Sequence, residues 1–171
     1  MRLSTRPDYI DEERLALLKK HNVSTVELGV QSLDDSVLEL AGRGHNAASV
    51  AKAVELLRAH GFKTGLQLMC GMPGQTAASF MATVAESIAL KPDMVRLYPL
   101  LVIKDTPLEE TYRSGKLLRL GWKPPQSFVQ QLCRNLPVTA LMLSASAYSQ
   151  MTNCAAPEIL WQALFIPLLA R

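Results

Sequence analysis

The sequence predicts an α/β fold built on a parallel sheet, and three observations carry that reading. Within residues 1–116, short β-branched apolar runs alternate with amphipathic stretches, one repeat in roughly 30 residues. The runs are apolar nearly throughout rather than at every second position, as happens when both faces of a sheet are covered. Most amphipathic stretches open on a helix-capping residue or stop at Gly or Pro.

Taken in order, RLST at the start reads as a possible first strand. DEERLALLKK (11–20) places Leu15, Leu17 and Leu18 toward one side among charges and predicts a short helix. VSTVELGVQS (23–32) reads as a buried strand. Asp34 or Asp35 is placed to cap a short helix through Leu38 and Leu40. AASVAKAVELLRAH (47–60) has Val50, Ala53, Val54 and Leu57 at helical spacing, and Gly61 stops it. FKTGLQLMCGM (62–72) is a strand ended by PGQT, ASFMATVAESIAL (78–90) a helix closed by Pro92, and MVRLYPLLV (94–102) a further strand. TPLEETYRSG then offers Thr106 as cap and Pro107 at the first helical position. Three or four strands are too few to close a barrel, so the pattern describes part of a larger architecture.

Composition narrows the function classes. The chain has 171 residues, 49% hydrophobic and 19% charged, with a net charge of +3 and no Lys/Arg cluster, so no nucleic-acid footprint is expected within this segment. No apolar run reaches the roughly 18 residues that a membrane span needs. The longest, ILWQALFIPLLA, is interrupted by Gln162 and Pro167. No secretory signal opens the chain, which makes the cytoplasm the expected compartment. Cys70, Cys133 and Cys154 fit neither a disulfide framework nor metal-ligand spacing.

In a parallel sheet, chemistry sits at the carboxyl ends of the strands. There the sequence offers Gln31-Ser32, the stretch Cys70-Gly71-Met72-Pro73-Gly74-Gln75-Thr76, and Tyr98-Pro99. Polar residues inside otherwise apolar strands are the informative ones, namely Glu27, Gln31, Gln67 and Arg96, because a buried polar group needs a partner or a ligand. Alternation places Glu27, Gly29 and Gln31 on one face, and Gly65, Gln67 and Met69 on one face. Gly29 and Gly65 clear room there for a ligand. His45 and His60 read as surface histidines and Cys70 as a packed small hydrophobe.

The strings STRPDYID, TVELGVQSLDD, GRGH, GLQLMCGMPGQT and KPDMVRLYPLLVIKDTPLEETYRSG occur in that order over residues 1–116. Together they resemble the radical S-adenosylmethionine (SAM) superfamily, in particular proteins similar to the elongator catalytic subunit and to oxygen-independent coproporphyrinogen III oxidase. The resemblance implies part of a (β/α)6 TIM-like barrel, and a parent protein in which a [4Fe–4S] cluster cleaves SAM to a 5′-deoxyadenosyl radical. Carried over, it assigns Gln31 to the SAM site and Arg43 to the SAM carboxylate. Gln67 falls where the coproporphyrinogen oxidases carry an aspartate toward the ribose, and Met69, Gly71 and Pro73 fall near the adenine. Ser4 and Thr5 match the end of one barrel strand, and Arg96 the inward face of another. The resemblance gives His45 no role. The family's CxxxCxxC motif, which supplies three thiolates to the cluster, is missing, so this chain is not expected to assemble a cluster.

Residues 117–171 differ in kind. They hold only Arg119, Lys123, Arg134, Glu158 and Arg171 among charged residues, and five of the ten prolines. Read one nucleotide out of phase, WQALFIPLLA is codon-compatible with Ala-Gly-Pro-Phe-His-Pro-Ala-Phe-Gly and SAYSQ with Gly-Leu-Gln-Pro, both resembling the family's C-terminal end. This predicts a frameshift near residues 116–120 and a poorly packed, aggregation-prone tail. Two functions follow as expectations: a segment of a radical SAM enzyme, inactive as it stands and of unknown substrate, or a cluster-less α/β binding or scaffolding module.

Overall fold

A computed structural model describes residues 1–100, 102–103, 105–114 and 141–143. Its element order is β1 (Arg2–Thr5), a 3-10 turn (Pro7–Tyr9), α1 (Glu12–Lys20), β2 (Thr25–Gln31), α2 (Asp35–Leu40), α3 (Ala47–Ala59), β3 (Lys63–Cys70), α4 (Ala77–Ala89), β4 (Met94–Pro99), α5 (Pro107–Arg113) and β5 (Leu141–Leu143). The strands form one sheet in the order β1-β2-β3-β4-β5, every pair parallel. The α/β class and each sequence-based element within residues 1–114 are therefore observed. The 3-10 turn was not anticipated, although Pro7 presets its first dihedral. β5 falls inside the tail expected to be poorly packed, and pairs Val95, Arg96 and Leu97 with Leu141, Met142 and Leu143. The other residues of 115–171, on which the frameshift and packing expectations fall, lie outside the described residues.

Caps set the helix starts. Asp34, not Asp35, caps α2, its carboxylate accepting from the Ser36 and Val37 amides. Asn46 and Thr76 open α3 and α4 with reciprocal capping boxes to Ser49 and Ser79. Gly61 ends α3 at φ +71°, a left-handed conformation that suits glycine.

The strands' two faces differ sharply. Val26, Leu28 and Val30, Leu66 and Leu68, and Val95 and Leu97 point into one core. There they meet Leu15 of α1, Val50, Val54 and Leu57 of α3, and Phe80 and Val84 of α4. The alternate positions carry Ser4, Glu27, Gly65, Gln67 and Arg96, so the second face of the sheet is polar. Among the described residues no helix is long and apolar enough to cross a membrane.

Candidate functional site

β2 leaves its register at the end that matters. Leu28 pairs with Leu66 and Gln31 with Leu68, so β2 advances three residues while β3 advances two. This bulge leaves Gly29 and Val30 without register partners on β3, and β1 already ends opposite Leu28. Gln31 then adopts φ +67°, and the Ser32 amide donates 2.8 Å back to the Val30 carbonyl. A three-residue turn with a left-handed centre is a strained geometry. It folds the Gln31 side chain back over Gly29, where an added Cβ would lie 3.2 Å from Gln31 Nε2. Gln31 is only 8% exposed, and its Oε1 has no hydrogen-bond partner among the described residues.

The loop after α2 closes on this turn. Arg43 Nη2 donates 3.4 Å to the Gly29 carbonyl and lies 3.7 Å from where a Gly29 Cβ would sit. Its buried Nε has no hydrogen-bond partner, and no carboxylate pairs with it among the described residues. Burial, reinforced by the charge of Arg6, pulls this guanidinium below its ordinary pKa. His45 Nε2 lies 3.1 Å from the Val30 carbonyl, and its Nδ1 is buried without a partner. Burial first, and the Arg43 charge with it, push the ring below the ordinary imidazole range. The expected surface histidine is thus half-buried against the strand end.

β3 ends in a loop tied by one residue. Gln75, 5% exposed, accepts on Oε1 from the Gly71 amide (2.7 Å) and the Met72 amide (3.4 Å), and donates from Nε2 to the Met69 carbonyl (3.3 Å). Gly71 and Gly74 both have positive φ, +93° and +74°. A Cβ on Gly74 would meet Leu40 Cδ1 at 2.5 Å, so the loop packs directly on α2. Met69, Gly71 and Pro73 lie along this loop, half-buried.

A third group lies below these ends on the polar face. Glu27, 1% exposed, has Arg2 Nε at 3.0 Å and Arg96 Nε at 3.4 Å, and accepts from Gln67 Nε2 at 2.9 Å. Gln67 Nε2 also lies 3.3 Å from Ser4 Oγ, and Arg96 Nη1 donates 3.4 Å to Tyr98 Oη. Gly65 makes room for this network, since a Cβ there would stand 2.9 Å from both Glu27 Cγ and Met94 Cγ. The structure therefore brings Gln31 and Arg43 together across Gly29. Gln67 joins Glu27 and Arg96 in a separate network, and Met69, Gly71 and Pro73 stand on the neighbouring strand end. Sequence reasoning put Gln75 in the strand-end stretch and read His45 as a surface residue, but it did not show that each binds backbone at a strand terminus.

The residues present do not suit an iron–sulfur cluster. The sequence has three cysteines in all, tens of residues apart. Burial raises the Cys70 thiol above its ordinary pKa, the reverse of what a thiolate ligand needs. No group of three or more His, Cys, Asp or Glu able to hold a metal occurs among the described residues.

Comparison with known proteins turns this geometry into a family assignment. The profile of the radical SAM superfamily matches residues 1–86. The chain belongs to the radical SAM superfamily. The tRNA uridine(34) acetyltransferase of Methanocaldococcus jannaschii is 38% identical over 117 residues, covering 67% of this chain and 22% of that protein. Elongator complex protein 3 of Homo sapiens is 32% identical over 152 residues, covering 80% of this chain and 28% of that protein. This chain thus spans about a quarter of those two radical SAM relatives. Among solved structures, the archaeal Methanocaldococcus infernus Elp3 superposes with a TM-score of 0.70 at 30% identity, covering 84% of this chain and 34% of that one. The coproporphyrinogen III oxidase of Escherichia coli shares the fold at a TM-score of 0.56 and 20% identity, over 89% of this chain and 30% of that one.

Proposed function

We propose that this chain supplies the SAM-facing wall of a radical SAM barrel, and that it does not hold the cluster with its own cysteines. One observation carries the reading: Arg43 and Gln31, both with buried polar atoms lacking partners, converge on Gly29 at the carboxyl end of β2. A half-buried guanidinium with no carboxylate of its own suits the SAM carboxylate. The Gln31 carbonyl oxygen is available to a donor such as the SAM amino group. On β3, Gln67 offers an amide toward ribose hydroxyls, and the loop through Met69, Gly71 and Pro73 offers half-buried backbone and apolar surface to the adenine. Gln75 keeps that loop in shape by satisfying its inner amides.

In the superfamily the cluster supplies the electron for reductive cleavage of SAM. The protein's part here is to bind, orient and exclude water. The names of the relatives suggest a tRNA uridine as the substrate of a protein containing this segment.

Two measurements on the full chain test the proposal. Isothermal titration with SAM should give saturable 1:1 binding that Arg43→Ala abolishes. No binding by the unaltered chain would overturn the wall assignment. Anaerobic treatment with iron and sulfide should leave no bound cluster in the absorption and electron-paramagnetic-resonance spectra. A stoichiometric [4Fe–4S] signal would show that cysteines outside the family motif serve, and would refute the second half of the proposal.

A further inference from the structure

The bulge in β2 creates a backbone problem that the loop after α2 solves. The carbonyls of Gly29 and Val30 lie where neither neighbouring strand pairs with them in register. Arg43 Nη2 serves the first and His45 Nε2 the second, so two side chains two positions apart supply donors to carbonyls that have no register partner on either neighbouring strand. The Val30 carbonyl is also the acceptor for the Ser32 amide, the bond that closes the turn around Gln31. His45 therefore grips the very oxygen on which the left-handed Gln31 depends.

We propose that His45 is a positioning residue for the site: its neutral ring, donating from Nε2 to the Val30 carbonyl, holds the turn that keeps the Gln31 amide over Gly29. The tautomer follows from the contacts. A carbonyl oxygen only accepts, so the nitrogen facing it carries the hydrogen. Nδ1 is then bare, and its burial without a partner costs less as a bare nitrogen than as a buried N–H with no acceptor. The charged groups that act on the ring are Arg43 on its own loop, and Arg6 and Asp8 from the segment between β1 and α1. Both arginines oppose a second proton. The Val30 carbonyl and Asp8 favour it, but burial of the ring together with the two arginines outweighs them, so the ring stays below its ordinary pKa. Gly44, between Arg43 and His45, lies against the Arg6 guanidinium, whose Nη2 would stand 2.6 Å from a Cβ at that position.

The inference rests on the SAM reading for its binding consequence but not for its structural one, and the experiment keeps the two apart. Nuclear magnetic resonance of the ligand-free full chain should show the Gln31 Cα, Cβ and side-chain amide signals displaced in His45→Ala. They should return toward wild type in His45→Gln, whose amide nitrogen can donate in place of Nε2. Methyl signals of Val54 and Leu57, which lie in the core, serve as the check on folding. Should His45→Ala fail to fold, His45→Phe, which fills the same space without a donor, takes its place and should displace the Gln31 signals. Gln31 signals unchanged by removal of the donor would overturn the proposal. In calorimetry, SAM binding should weaken roughly tenfold in His45→Ala, the scale of one lost orienting hydrogen bond, and recover in His45→Gln. Displaced Gln31 signals with unchanged SAM affinity would refute the role in binding. A wild-type chain that does not bind SAM would refute the SAM reading, while the resonance data still decide what His45 holds.

Discussion

At the scale of single residues, Glu27 shows how a site is built around a group that does not touch the ligand. Its carboxylate is almost fully buried and meets Arg2, Arg96 and Gln67. Removing one partner of such a network strands the others, at a cost of about 3–5 kcal/mol in fully buried cases. Arg2 keeps 46% of its side chain exposed, so the lower end of that range applies to Glu27→Ala, read as a fall in the denaturant midpoint. An unchanged midpoint would mean that the ion pairs contribute nothing net. Glu27→Gln should lose less, because an amide keeps an acceptor for Gln67. His45 gives the residue-scale pH dependence. Its folded-state pKa lies below the ordinary value of about 6.5 because burial disfavours the cation. The unfolded chain therefore binds more protons as pH falls through that value, and stability should drop on acidification from there down to the folded pKa. His45→Gln should flatten that part of the stability curve relative to wild type, and a difference that does not vary with pH would contradict the assignment. Of these residues, Glu27, Gln67 and Arg96 stood out in the sequence because they interrupt apolar strands. His45 did not, because the carbonyl it serves is exposed only by a bulge, and a bulge breaks the two-residue period on which strand reading depends. The same bulge is why alternation alone, which put Gln31 on the face of Glu27, could not show that its amide folds back over Gly29.

Elements were the most legible scale, and capping chemistry explains why. Asn46 before AASV and Thr76 before AASF each satisfy free helix amides, with Ser49 and Ser79 answering from the third helical position. Those signals are local in sequence, so α3 and α4 are bounded by residues visible without any tertiary contact. Asn46→Ala and Thr76→Ala should each lower stability by about 0.5–2 kcal/mol, measured by chemical unfolding. Thr76→Ala carries an extra consequence: it sits immediately after Gln75, so the loop of Gly71–Gln75 should loosen as well, with faster amide exchange at Gly71 and Met72. Equal exchange rates in the variant would separate the cap from the loop. What was not legible at this scale is the pairing of Leu141–Leu143 with β4, because a three-residue apolar run 42 positions after the end of β4 has no local signature of its partner. Nor did the sequence distinguish Asp34 from Asp35 as cap. Asp35 instead accepts from the Ala47 amide at 2.8 Å, tying α2 to the start of α3.

For the whole molecule, the division of labour between the sheet's faces explains how a chain that spans about a quarter of the two relatives described above presents an ordered site. The apolar face meets α1, α3 and α4 in a single core, and that core fixes the strand spacing. The polar face is held by side-chain ion pairs and amides, so it is shaped without apolar burial of its own. The strand ends above it rest on both. The Gln31 turn hangs from β2, the Gln75 loop from β3, and Leu40 of α2 packs against Gly74 to join them. A ligand that bridges the Arg43 side and the Gly71 side therefore ties together elements that the core reaches only from beneath. Such a ligand binds the folded chain and not the unfolded one, so its effect on stability is RT ln(1 + [L]/Kd). At a hundredfold excess over Kd this is about 2.7 kcal/mol, which for a chain of this size corresponds to a rise in Tm of roughly 5–10 °C. SAM should produce that rise in the unaltered chain. Methionine alone, which carries the carboxylate but no nucleoside, should produce little, because it engages Arg43 and Gln31 without spanning to β3. An equal rise with methionine would confine the site to the β2 end, and would leave Gln67, Met69, Gly71 and Pro73 without a part in holding the ligand.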